Sequence, residues 1–176
     1  MKILLIGPQG SGKSTQAEFL AQFLNIPKIS TGDIFRQIAT EDSENGRKVR
    51  EIQNSGKLVD DETTARIVEE RLKQEDAAGG FIMDGYPRNI RQKDLFDPHF
   101  EKVFYLKVPD SEVTKRMLAR GRADDTQESI KMRLNLYYQQ TKPLLDYYKS
   151  QGILTEINGM GSAGKIQDEI RKNISK

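Results

Sequence analysis

Apolar residues gather into five short runs, Lys2–Ile6, Pro27–Ile29, Phe81–Asp84, Lys102–Val108 and Ile153–Ile157. Runs this short, bounded by polar, Gly or Pro residues, read as strands buried on both faces. Between them the apolar positions switch to helical spacing. Ala17, Leu20, Ala21 and Leu24 mark one face of a helix, and Ala65, Val68 and Leu72 repeat that register within Asp61–Lys73. Val113 and Met117 belong to a helix that Asp110, after Pro109, is expected to cap. Asp125 and Glu128 read as the capping pair of a long helix running through Tyr138. Strands that alternate with helices predict an α/β fold in three layers: a five-stranded parallel sheet flanked by helices.

Two segments break this pattern. Thr40–Lys48 is polar and charged, inside a segment 30–59 that has the size of a small helical insertion between two core strands. Residues 120–125 form a tight charged turn between two good helices. The chain of 176 residues is thus expected to be a single domain, with a core of 1–29, 60–119 and 126–176, an insertion at 30–59 and a turn at 120–125.

Composition narrows the chemistry. A net charge of +2 gives no broad electrostatic case for nucleic acid or membrane as a partner. With no cysteine there is neither a disulfide nor a thiolate metal site, and the lone His99 cannot build a histidine cluster. No apolar run approaches membrane-spanning length, and Met1–Ile6 is too short for a signal peptide, so the expected compartment is the cytoplasm.

The first strand leads straight into Gly7-Pro8-Gln9-Gly10-Ser11-Gly12-Lys13-Ser14, the pattern G-x-x-x-x-G-K-[ST]. Strand, Gly-rich turn and helix start come in the order a phosphate-binding loop needs. Its backbone N–H groups can face phosphate oxygens at the positive end of a helix. Lys13 can reach the terminal phosphates, and the Ser14 hydroxyl can bind Mg²⁺. Asp84 ends the third strand and precedes Gly85-Tyr86-Pro87-Arg88, where the carboxylate that organises the Mg²⁺ of such a fold belongs. Arginines cluster after the fourth strand, at Arg116, Arg120, Arg122 and Arg133, and Arg36 and Arg88 follow other strand ends. Arg133 lies on the apolar stripe of its helix, between Ile130 and Tyr137, so it must be paired or line a polar cleft. A phosphate loop with converging arginines is the equipment of phosphoryl transfer.

These residues together resemble the adenylate kinase family over essentially the whole chain. GPQGSGKSTQ (7–16) is similar to the family's phosphate loop, with Ser14 in place of the usual Gly. ISTGDIFR (29–36), SGKLVDD (55–61) and DGYPRNIRQ (84–92) resemble its monophosphate-site segments. The resemblance implies reversible, Mg²⁺-dependent transfer from ATP to AMP by a monomer. It puts Gly10, Ser11, Gly12, Lys13, Ser14, Thr15, Arg116, Arg120 and Gly161 on ATP. It puts Thr31, Arg36, Lys57, Leu58, Val59, Gly85, Arg88 and Gln92 on AMP, with Arg36 and Arg88 on its phosphate and Gln92 reading adenine. Lys13, Arg88, Arg122 and Arg133 become the catalytic residues, and Ser14 with Asp84, the latter through water, the Mg²⁺ site. The family's lid lies between arginines that here are separated by Gly121 alone, so the lid is expected to be a minimal turn without a zinc site. Rival readings are a UMP/CMP kinase, toward which Asn89 leans, a GTP switch protein, which would need an N-K-x-D motif, and a non-catalytic nucleotide-binding module.

Overall fold

The computed structural model describes residues 1–54, 59–121 and 125–174. The chain runs β1 (Lys2–Ile6), α1 (Lys13–Leu24), β2 (Lys28–Ser30), α2 (Thr31–Thr40), α3 (Glu44–Asn54), α4 (Asp61–Leu72), β3 (Phe81–Asp84), α5 (Ile90–Leu95), β4 (Lys102–Lys107), α6 (Asp110–Arg120), α7 (Gln127–Ser150), β5 (Leu154–Asn158) and α8 (Ala163–Ile174). All five expected strands are present, within a residue of their expected bounds. They form one parallel sheet in the order β2-β3-β1-β4-β5.

The period-two alternation of a strand explains why two cores form. In β1, Leu4 and Ile6 join Ile29, Met83 and Val103 on one face, where Val68 of α4 and Leu144 and Tyr148 of α7 pack. Ile3 and Leu5 join Ile82, Phe104 and Ile157 on the other, against Ala17 and Leu20 of α1 and Ile166 and Ile170 of α8. A third, smaller cluster of Val108, Val113, Met117, Ile130 and Leu134 joins α6 to α7. No helix among the described residues is long and apolar enough to cross a membrane.

Three helix boundaries differ from the sequence expectation. Pro109, not Asp110, is the capping residue of α6; Asp110 is the first helical residue, where its negative charge still meets the positive end of the helix. The pair that caps α7 is Thr126 with Ser129, not Asp125 with Glu128: the Thr126 hydroxyl accepts from the Ser129 N–H at 3.2 Å, and the Ser129 hydroxyl from the Thr126 N–H at 3.0 Å. The one-residue shift leaves the Asp125 carboxylate to the arginines described below. α7 also continues past Tyr138, through Pro143, to Ser150. Its last turns bury Thr141, Leu144 and Tyr148, and that packing outweighs the backbone hydrogen bond a mid-helix proline forgoes.

The polar stretch Thr40–Lys48 forms the end of α2, the turn after it and the beginning of α3. α2 and α3 pack on each other, and Arg50 of α3 donates to the Ala39 and Glu41 carbonyls at 2.6 and 3.0 Å.

Candidate active site

Five of the segments singled out for chemistry leave the carboxyl edge of the sheet. The phosphate loop follows β1, Thr31 follows β2, Gly85–Arg88 follows β3, the start of α6 follows β4 and Gly159–Gly161 follows β5. The chain leaves β1 to one side for β2 and β3, then crosses to β4 and β5 on the other. The crevice of an open α/β sheet opens at such a divergence of connections.

The phosphate loop is held by its own backbone and by α6. The Ser11 N–H donates to the Pro8 carbonyl at 3.0 Å. Gly12 caps α1 at φ 91°, with open space where a side chain would stand, so the start of the helix is bare toward the cleft. Arg116 spans two segments: its guanidinium donates to the Ser11 carbonyl at 3.3 Å and the Gly159 carbonyl at 3.1 Å, and its Nε to Glu112 at 2.8 Å. Gln16 provides a second tie that the sequence reading missed. Its amide, buried on the apolar face of α1, donates to the Ala163 carbonyl at 3.0 Å and joins α1 to the first turn of α8. A polar residue one helical turn before Leu20 was the available signal. Gly161, at φ 128°, is exposed between these ties.

Lys13 sits among charges. Burial is the main cause that lowers its ammonium pKa, Asp84 raises it, and Arg88 and Arg120 lower it further. Arg88 is itself lowered by burial, with Asp84 acting the other way. Lys13 is thus within reach of one carboxylate and two arginines, an arrangement that favours a polyanion. The buried Asp84 also accepts from the Ser14 hydroxyl at 2.5 Å. That bond points the Ser14 hydrogen at the carboxylate and leaves its oxygen lone pairs for a cation. A hydroxyl and a carboxylate beside a phosphate loop suit Mg²⁺, which keeps several waters and takes phosphate oxygens as ligands. Among the described residues no group of three or more His, Cys, Asp or Glu could hold a metal ion by itself.

On the other side of the cleft, Gly85 is the meeting point. It takes φ 92°, and a Cβ on it would stand 2.7 Å from the Thr31 hydroxyl oxygen. Its carbonyl accepts from the Thr31 hydroxyl at 3.0 Å and from Arg88 Nε at 3.1 Å. Thr31, Gly85 and Arg88 are thus brought together. Arg36 lies further along α2 and pairs with Asp33. Thr141 of α7 donates to the Arg88 carbonyl at 3.4 Å. Val59 is half-buried just before α4; Lys57 and Leu58 lie outside the described residues.

Arg120 and Arg133 converge on Asp125. Arg120 forks onto both carboxylate oxygens at 2.9 Å, and Arg133 reaches one of them at 3.0 Å and the Gln9 side chain at 3.5 Å. The Asp125 side chain is 0% exposed. Arg133, which had to be paired or to line a polar cleft, is paired. Arg122 lies outside the described residues. Asp125 had looked like a helix cap; an acid five residues from Arg120 and eight from Arg133 was the sign of its other role. Asp61 was also missed. It opens α4 and accepts from the amides of Gln92, at 2.8 Å, and Asn89.

The family described as adenylate kinase matches residues 5–153. A Corynebacterium urealyticum protein named adenylate kinase is 43% identical over 175 residues, 96% of each chain. A Leptospira biflexa protein of that name is 42% identical over 184 residues, 98% of this chain and 99% of its own. A Nostoc protein named adenylate kinase 1 is 41% identical over 180 residues, 98% of each.

Proposed function

The chain belongs to the adenylate kinase family, and from that premise we propose how its own residues divide the reaction ATP + AMP ⇌ 2 ADP. The observation that carries the division is the Ser14–Asp84 hydrogen bond at 2.5 Å beside the phosphate loop, with Arg88 held on Gly85 at the end of the neighbouring strand β3. The enzyme is a nucleoside monophosphate kinase, and a UMP/CMP kinase is the less favoured reading.

The loop from Gly10 to Thr15 holds the donor phosphates, its N–H groups and Lys13 on the oxygens, while Arg116 and Arg120 stand on the donor side and Gly161 meets the donor base. Arg88 and Arg36 hold the acceptor phosphate; Arg36 would exchange Asp33 for it. Thr31, Gly85, Gln92 and the segment of Lys57, Leu58 and Val59 hold the rest of AMP. Arg122 and Arg133 neutralise charge on the transferring group. Mg²⁺, when bound between Ser14 and the phosphates, with Asp84 orienting its waters, would supply further charge neutralisation. No general base is needed, because the attacking phosphate oxygen is already ionised at neutral pH. Most of the rate comes from holding two polyanions in line against their repulsion. The division into a core, an insertion at 30–59 and a turn at 120–125 belongs to the same proposal, with the insertion closing over the cleft. So does a monomeric, cytoplasmic enzyme.

Arg88→Ala is the test. Losing a charged hydrogen-bonding partner of the acceptor phosphate, at about 1.5–3 kcal/mol, should raise KM for AMP by roughly 10- to 100-fold and leave KM for ATP within about twofold. Equal losses for both nucleotides would place Arg88 elsewhere in the reaction.

A further inference from the structure

Gln92 is a buried amide with two neighbours of opposite and fixed character. Its Oε1 accepts from the Arg88 backbone N–H at 2.8 Å, and its Nε2 donates to Asp61 at 2.8 Å. A backbone N–H can only donate, and an ionised carboxylate can only accept. Turning the amide over would set its oxygen against the carboxylate and its NH₂ against an N–H, losing two hydrogen bonds for two repulsions. Asp61 is itself held in place. The Asn89 NH₂ lies 3.3 and 3.4 Å from its two oxygens, and the other end of that amide caps α5 by accepting from the Gln92 N–H at 2.8 Å. Asn89, whose presence had leaned toward a pyrimidine kinase, is thus occupied with the helix cap and Asp61.

We propose that Asp61 is a specificity-determining positioning residue: by locking the orientation of the Gln92 amide, it makes the acceptor site accept a 6-amino purine and refuse a 6-oxo purine. The inference rests on the reading that Gln92 meets the acceptor base. The two bases present opposite patterns on the edge an amide reads. Adenine offers a donor at N6 and an acceptor at N1; a 6-oxo purine offers an acceptor at O6 and a donor at N1. An amide free to turn over matches either edge, as side-chain amides read bases by their paired donor and acceptor. An amide locked by Asp61 and the Arg88 N–H matches one. A wrong edge then leaves polar groups facing like groups, the form of rejection that a hydrogen-bonding site provides.

The test compares kcat/KM for AMP and for inosine monophosphate, with ATP as donor, in the wild type, Asp61→Asn, Gln92→Ala and the double variant. Asp61→Asn removes the one-way acceptor yet keeps size and polarity, and Asp60, not Asp61, caps α4, so the fold is retained and is checked by thermal melting. The preference for AMP should fall about tenfold or more in Asp61→Asn, through KM for the monophosphates, with kcat on AMP and KM for ATP within about threefold. In the Gln92→Ala background, Asp61→Asn should change the preference no further. A preference unchanged by Asp61→Asn, or one that it lowers equally with and without Gln92, overturns the role of Asp61. A preference unchanged by Gln92→Ala overturns the reading of Gln92 itself.

Discussion

Lys13 stands in the phosphate loop, and its surroundings disfavour the ammonium relative to water until a phosphate arrives. Burial, Arg88 and Arg120 all lower its ammonium pKa, and Asp84 only partly offsets them. ATP phosphates act in the opposite direction, since an opposite charge within a few ångströms favours the ammonium. The pKa of Lys13 is therefore lower in the free enzyme than in the ATP complex. Between those two values, ATP binding takes up a proton; below both, Lys13 is charged throughout and nothing is taken up. Calorimetric titration with ATP in buffers of different ionisation enthalpy should show proton uptake growing as pH rises from neutral into the alkaline range. Lys13→Met should lose that uptake together with activity and keep its circular dichroism spectrum. Uptake that survives in Lys13→Met assigns the proton to another group. At this scale the sequence was informative about residues whose motif carries the chemistry, such as Lys13, Ser14 and Asp84. It assigned no role to Asp61 or Gln16, whose significance comes from partners 31 and 147 positions away.

The element that matters most for the arginines is the junction of α6 and α7. Arg120 ends α6, Arg133 lies in the second turn of α7, and Asp125 between them accepts from both. The small core of Val113, Met117, Ile130 and Leu134 fixes the angle at which these helices meet. One buried carboxylate thereby orients two cations that are each about one-third exposed. Asp125→Asn keeps the shape and removes the charge. It should lower stability by about 1–3 kcal/mol, less than for a fully buried pair because both arginines retain contact with water. It should also cut kcat at least tenfold, because the arginines lose their aim. A variant with lowered melting temperature and unchanged kcat would make Asp125 a structural brace alone. The sequence found both helices, since their apolar spacing is regular, but it followed α7 only through Tyr138 and not to Ser150. It misjudged the cap by one residue because Asp125, Thr126, Glu128 and Ser129 offer two overlapping cap patterns, and only the arginines decide between them.

At the scale of the whole molecule, the parallel sheet and the alternation of strands and helices were legible because short apolar runs alternate with helical spacing, whereas the strand order came only from the structure. How the cleft closes was not legible, since closure depends on charges and on motion that leave no periodic mark. On the proposed reading, α2 and α3 provide the moving cover, and the 120–125 turn provides little. α2 and α3 pack chiefly on each other, which suits a unit that moves as one body. A cover on the acceptor side closes fully only when AMP is bound, so ATP alone would leave its terminal phosphate more open to water than a long lid on the donor side does. The enzyme should therefore hydrolyse ATP without acceptor several-fold faster than long-lid adenylate kinases. A non-transferable AMP analogue should suppress that hydrolysis by closing the insertion. Measuring phosphate release with ATP alone, then with the analogue at saturation, separates the possibilities. Hydrolysis as slow as in long-lid enzymes, or insensitive to the analogue, would mean that the donor phosphates are shielded without help from the acceptor side.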